Sequence, residues 1–238
     1  MVEKKNIVIG GVGDTSELSI VLIKKLIEKN YRVFGIARSQ STLESLKEQI
    51  GSPEEFNPIS LDLLDEKSVA KEMSNLESSY GPIYGYIHNV GKLFRGAFLK
   101  STFEDFKSSL ETNFETAIPI SQALLKSMLP PKEGVLIFTG ATASIKGSAN
   151  FSPFASAKFA LRGFTQSLAR EFAPQGIHVC HVLVDGVIWG KRAKDTFKMD
   201  ENSCISAYDL ADIYLNILTH KKRAWSNEVD VRSYMEKF

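Results

Sequence analysis

The chain has 238 residues, 43% hydrophobic and 24% charged, a composition that excludes disordered, collagen-like and coiled-coil architectures. At that length one large α/β domain is expected, because such folds pass 200 residues around a single core. With 29 Lys and Arg against 28 Asp and Glu, the net charge of +1 gives no global field to attract nucleic acid or an anionic membrane.

Cys180 and Cys204 are the only cysteines, too few for a disulfide framework or a four-ligand zinc site. The opening MVEKKNIVIGG runs straight into a strand pattern, so no secretory leader is expected. Nor does any apolar run approach the ~20 residues that span a bilayer. A cytoplasmic protein without metal, membrane or nucleic-acid partners is expected.

Strands are predicted over 6–10, 31–37, 55–61, 83–89, 134–139 and 178–184, with a short last one over 228–231. Helical patterns fill 17–29, 41–50, 65–80, 102–129, 153–173 and 206–219. In the first of these Leu18, Val21, Leu22 and Leu26 recur at helical spacing. Alternating strands and helices predict an α/β, doubly wound parallel sheet in a single domain spanning 1–238. The least patterned stretch, 190–203, is polar; it is read as a mobile substrate-side loop or as a featureless excursion.

After the first strand comes GGVGDTSELS, with Gly10, Gly11 and Gly13, and then a helix. Such a turn either cradles a pyrophosphate at the helix N-terminus or is an ordinary tight turn. Asp14 and Glu17 stand where an anion would go. At the end of the second strand Arg38 has no acid beside it. If it is more than a solvated cation it suits a ribose 2′-phosphate, favouring NADP over NAD.

Further pieces follow in order: Asp62 in LDL, Asn89 and Gly91 in HNVG, Asn113 in TNF, Lys158 in PFASAK, and Gly186 in DG followed by Ile188. In this order and at this spacing they resemble the short-chain dehydrogenase/reductase family over nearly the whole chain. The resemblance implies a Rossmann-like fold, an NAD(P) cofactor and oxidoreductase activity on a small carbonyl, alcohol or enone. It implies that Gly11, Gly13, Ser19, Arg38, Asp62, Asn89, Gly91, Lys158, Gly186 and Ile188 hold the cofactor. It also implies assembly as a homodimer or homotetramer.

That family uses a tyrosine as general acid/base, a lysine that lowers its pKa, a serine that orients the carbonyl and an asparagine that anchors a water relay. A phenol near pKa 10 gives up its proton at neutral pH only beside a cation. Here Lys158 and Asn113 stand, but Phe154 occupies the tyrosine position and Ala141 the serine position. The alternative register of the enoyl reductase branch, seven residues before the lysine, lands on Phe151. FTGATAS and the terminal AWSNEVDVRSY resemble a bacterial subgroup of the family with the same Phe-x-x-x-Lys replacement.

Thr142, next to the lost serine, either turns its hydroxyl into the pocket or bonds to backbone as a strand-end residue. Asn113 either anchors a relay or ties helix to strand. His178 and His181 lie three apart in a strand and face opposite ways, unsuited to a shared metal, and His88 is read as a hydrogen-bonded strand-end residue. Three functions stay open: an NADP-dependent oxidoreductase with an atypical proton source, a silent NADP-binding sensor, and a scaffold whose nucleotide site has decayed. The substrate is not legible.

Overall fold

The computed structural model describes residues 4–235. Its frame is one seven-stranded sheet in the order β3-β2-β1-β4-β5-β6-β7, every neighbouring pair parallel. The strands are β1 (Lys5–Gly10), β2 (Tyr31–Ala37), β3 (Phe56–Ser60), β4 (Ile83–His88), β5 (Gly134–Thr139), β6 (Ile177–Asp185) and β7 (Glu228–Arg232). The order reverses between β1 and β4, which opens a crevice at their carboxyl ends, the usual place for a ligand in an open α/β sheet.

The strands alternate their side chains between two apolar layers. Ile7, Ile9, Val33, Ile137 and Val182 face α1 (Glu17–Glu28), α2 (Gln40–Gln49) and α8 (Ala207–Leu218). Val8, Phe34, Ile36, Leu136 and Phe138 face α3 (Glu66–Tyr80), α5 (Ala117–Met128) and α6 (Ser152–Phe172). A sheet covered on both faces buries both sides of its strands, and β6 is buried along its whole length, His178, His181 and Asp185 included.

The helix expected over 102–129 is not uniform. It runs as α4 (Phe103–Leu110), a π turn over Glu111–Glu115, and α5. Two residues account for the change. Pro119 has no N–H to return to the preceding turn, and the Asn113 side chain donates to the Ser109 carbonyl at 3.1 Å. The widened turn closes with the Thr116 N–H donating to the Glu111 carbonyl, five residues back, at 3.2 Å.

The 190–203 stretch is more structured than its composition suggests. It contains α7 (Lys191–Asp195), whose Ala193 is fully buried, and a 3-10 turn over Glu201–Ser203. A bridge between Ile188 and Ile205 closes its base. Among the described residues no helix is long and apolar enough to cross a membrane.

Candidate active site

The carboxyl ends of β1, β4, β5 and β6 surround a cleft of about 860 Å³. Gly11 and Gly13 line one end; Asn89, Gly91, Thr142, Phe154 and Lys158 line the middle stretch of the chain that reaches it; Gly186 and Ile188 complete it after β6.

Lys158 is 4% exposed and donates to the Thr139 carbonyl at 3.1 Å. Burial pushes its ammonium down to about 8. A Cβ added at Gly91 would lie 3.6 Å from Lys158 Nζ and 3.5 Å from Asn113 Oδ1. The lysine, the asparagine and the post-β4 turn therefore converge on one point. One carbonyl leaves the remaining ammonium protons for a ligand in the cleft.

Asn113 is fully buried and acts as a clip. Its Oδ1 accepts from the Lys92 N–H at 2.9 Å, and its Nδ2 donates to the Lys92 carbonyl at 3.0 Å. Of the two roles open from sequence, the tie between helix and strand end is the one these bonds describe. The π turn is what aims the side chain inward.

Phe151 and Phe154 both line the cleft, so either register of the tyrosine position presents a ring without a hydroxyl. The Phe154 centroid lies 6.0 Å from Lys158 Nζ, as residues four apart on one helix face should. Ala141 also lines the cleft, and its N–H donates to the buried Ser144 Oγ at 3.1 Å. Thr142 lines the cleft too, with Oγ1 donating to Asp185 Oδ1 at 2.6 Å. Asp185 is 8% exposed, and Arg232 Nη1 lies 3.4 Å from its other oxygen. No sequence pattern pointed to Asp185, the residue before Gly186 in DG.

The glycine loop divides its duties. Gly11 has φ +81°, and a Cβ there would come within 2.7 Å of the Val90 backbone, so it serves the close approach of two strand ends. Among the described residues a Cβ at Gly13 would meet only Ser16 Cβ, at 3.8 Å, which leaves the loop open to a ligand. Ser19 lies inside α1, fully buried and off the cleft lining. Ser16 is the residue at the mouth: it lines the cleft and its side chain caps the helix by accepting from the Ser19 N–H at 3.4 Å. Glu17 also lines the cleft, while Asp14 is not among the lining residues. A Cβ at Gly190 would meet Glu17 Cβ at 2.9 Å, so the acid lies against the post-β6 loop.

Arg38 and Asp62 stand outside the cleft lining, beyond the adjacent ends of β2 and β3. Arg38 is exposed and, among the described residues, its guanidinium has no carboxylate partner. Asp62 is exposed and its Oδ1 accepts from the Leu64 N–H at 3.0 Å.

The histidines take separate partners. His88 is fully buried, with Nδ1 2.6 Å from the Tyr86 hydroxyl; burial first, then the Lys158 charge, pushes it down to about 3. His178 Nε2 lies 3.0 Å from the Ser226 carbonyl, and its ring stacks on Trp225 at 4.9 Å. His181 pairs with Glu228.

A dinucleotide fits most of this frame. Gly13 leaves space, Lys158 is a buried cation with protons to spare, and Arg38 is a cation at the end of β2 without a carboxylate partner among the described residues. Among the described residues that line the cleft, Glu17 is the one whose charge opposes a pyrophosphate.

The short chain dehydrogenase family model matches residues 5–196. The chain is 24% identical over 176 residues to the 3-oxoacyl-(acyl-carrier-protein) reductase FabG of Salmonella typhimurium, covering 74% of this chain and 71% of that one. It is 27% identical over 166 residues to carbonyl reductase family member 4 of Danio rerio, covering 69% and 68%. A solved short-chain dehydrogenase from Rhodopseudomonas palustris is similar at 27% identity and a TM-score of 0.79, over 96% of this chain and 99% of that one. A tyrosine-to-phenylalanine variant of ElxO with NADPH bound shares the fold at 20% identity and a TM-score of 0.85, over 95% and 96%. The family match spans the sheet from β1 to the end of α7, together with the turns that build the cleft, and the chain belongs to the short-chain dehydrogenase family of oxidoreductases.

Proposed function

We propose that the protein is an NADP-dependent oxidoreductase acting on a small carbonyl, alcohol or enone through a site without the phenol and serine. The observation that carries this reading is Lys158: a buried ammonium, one bond spent on Thr139 and the rest facing the cleft beside Gly91 and Asn113. A charged lysine is costly to bury without a ligand that uses it. NADP, when bound, supplies or accepts the hydride.

Lys158 would hold ribose hydroxyls, with Asn89, Gly91, Gly186 and Ile188 around them. Gly11 and Gly13 would face the pyrophosphate, Asp62 the adenine, and the unpaired Arg38 would select a 2′-phosphate and so NADP over NAD. The ElxO variant with NADPH bound supports the compatibility of a phenylalanine with the cofactor in this fold. The proton route left to the chain is Thr142 and Asp185. Exposed Phe103 and Phe159, on α4 and α6, support assembly as a homodimer or homotetramer.

A second reading is a silent NADP-binding sensor or scaffold. Among the described residues no tyrosine lines the cleft, and the Thr142 hydroxyl is already bonded to Asp185. Titration with NADPH and NADH, followed by nicotinamide fluorescence, tests the cofactor. Saturable NADPH binding, tighter than NADH, is expected; no saturable change with either overturns both readings that need a cofactor. A panel of ketones, aldehydes and enones followed at 340 nm then separates enzyme from sensor, and turnover on one of them decides for the enzyme.

A further inference from the structure

The cleft carries a charge pattern that the cofactor reading leaves unused. Lys92, Arg95, Lys146, Lys158 and Arg192 line it against a single acid, Glu17, in a chain whose net charge is only +1. Lys158 is buried and bonded, but Lys92, Arg95, Lys146 and Arg192 are exposed. Among the described residues none of these four pairs with a carboxylate, whereas Lys4, Lys5, Lys25 and Arg162 each find one. Like charges gathered without counterions repel one another, and low-dielectric walls focus their field into the cleft.

Three of the four lie beside aromatic rings. Lys92 Nζ lies 5.2 Å from the Phe94 centroid, the Arg95 guanidinium 5.6 Å from that of Phe151, and the Arg192 guanidinium 5.3 Å from that of Phe197. A ring face holds a cation in place and leaves its N–H donors free, where a carboxylate would consume them.

Position assigns this wall to the substrate end. Lys92 follows Gly91 directly and Arg95 comes three residues later, and their loop is fixed to the opposite one by the Gly96 N–H donating to the Asn150 carbonyl at 2.8 Å. Phe151 and Phe154 open α6 beside it, and Lys146 follows the 3-10 turn that carries Thr142.

We propose that Lys92, Arg95 and Lys146 recognise an anionic substrate, an organic carboxylate or phosphate whose aromatic or acyl body lies against Phe151 and Phe154. This names the substrate class of the oxidoreductase proposed above and rests on that reading for its catalytic meaning. Anion recognition itself is measurable without the cofactor.

Calorimetric titration of the whole protein with matched pairs provides the test: 4-phenylbutyrate against 4-phenylbutanamide, and octyl phosphate against octanol. At least one anion is expected to bind about tenfold or more tightly than its neutral partner, with the preference shrinking at about 0.5 M salt. In the double variant Arg95→Ala/Lys146→Ala the preference should fall to within about twofold, with the NADPH affinity unchanged. The Arg95→Gln/Lys146→Gln pair repeats the measurement should the alanine variant fail to fold. Whichever pair shows the preference distinguishes carboxylate from phosphate. Equal affinity within both pairs, no saturable binding of either anion, or a preference that survives in the double variant overturns the proposal. A loss of NADPH affinity in the double variant assigns these cations to the cofactor and also overturns it. Failure of NADPH to bind the unaltered protein sinks the cofactor reading instead, and the anion preference is still read.

Discussion

Thr142 donates its hydroxyl proton to Asp185 across 2.6 Å, and Arg232 steadies the far oxygen of that carboxylate at 3.4 Å. The hydroxyl beside the silent Ala141 is therefore coupled to an acid at the end of β6. In alcohol oxidation the direction is favourable: the substrate hydroxyl gives its proton to Thr142 as Thr142 gives its own to Asp185. Asp185→Asn and Thr142→Val should each lower kcat by about 10²- to 10⁴-fold, the usual contribution of general acid/base catalysis, with unchanged NADPH affinity. Steady-state kinetics with a cofactor titration checks this. An unchanged kcat in both variants would reduce the pair to a tie between β5 and β6.

Phe154→Tyr tests how much of the family's usual site remains. The ring already stands 6.0 Å from Lys158 Nζ, so a phenol there would lie near the cation that stabilises its phenolate. Carbonyl reduction should appear or rise at least about tenfold, and adding Ala141→Ser should raise it further. If NADPH binds and the rate stays flat in both variants, the altered substrate pocket, and not the missing phenol, limits the reaction.

Some of this was readable from residue spacing and some was not. Strand and helix order, Lys158, Asn113 and Gly91 were legible, because one helix and two strand-end turns bring them together at fixed offsets. Ser19 does not reach the cleft: it is buried inside α1, and the residue at the mouth is Ser16, the helix cap. Asp185 was invisible as a partner of Thr142 because 43 residues separate them and only the pairing of β5 with β6 joins them. The cations of the substrate wall are scattered from Lys92 to Arg192, and near-zero net charge conceals a local excess. The π turn had no reliable signal beyond Pro119.

Glu17 is the residue that most opposes the cofactor. It lines the cleft and lies against Gly190, so its charge would face the pyrophosphate. A like-charge interaction at a partly solvated site is worth about 1 kcal/mol. Glu17→Gln should therefore tighten NADPH binding about three- to tenfold, and the gain should shrink as salt is raised. Fluorescence titration at two ionic strengths measures both; no change would place the pyrophosphate elsewhere.

Lys158 gives the cofactor site a pH dependence of definite sign. Burial holds its native ammonium at about 8, against 10.5 for the ordinary group. Above about pH 8 the charge is lost, so NADPH affinity should fall by up to about tenfold per pH unit, and Lys158→Met should bind weakly without that slope. Stability moves the other way. Between pH 8 and 10.5 the unfolded chain binds more protons than the native one, so Lys158's contribution to stability rises over that window. Affinity that tracked melting temperature in the same direction would mean that unfolding, and not the ammonium, was being measured.

Gly140 and His181 form a second coupled pair beneath the site. His181 is fully buried, with Nδ1 3.0 Å from Glu228 Oε2, and Arg162 clamps that carboxylate with two bonds of 2.7 Å. A Cβ at Gly140 would collide with His181 Nε2 and meet Ser144 Oγ at 3.0 Å. Gly140→Ala should cost about 1–3 kcal/mol, the usual range for overpacking. Because the ring is what the new methyl strikes, Gly140→Ala combined with His181→Ala should be more stable than the two single losses add up to. The histidine also sets an acid limit. Burial, partly offset by Glu228, pushes the imidazole from 6.5 down to about 4. The unfolded chain therefore binds the extra proton first, and stability is lost as pH falls through that window. Denaturant melts of the four proteins at pH 7 and at about pH 5 should show non-additivity at both pH values and a smaller acid loss wherever His181 is absent. Strict additivity would mean that Gly140 is not reserved for the ring.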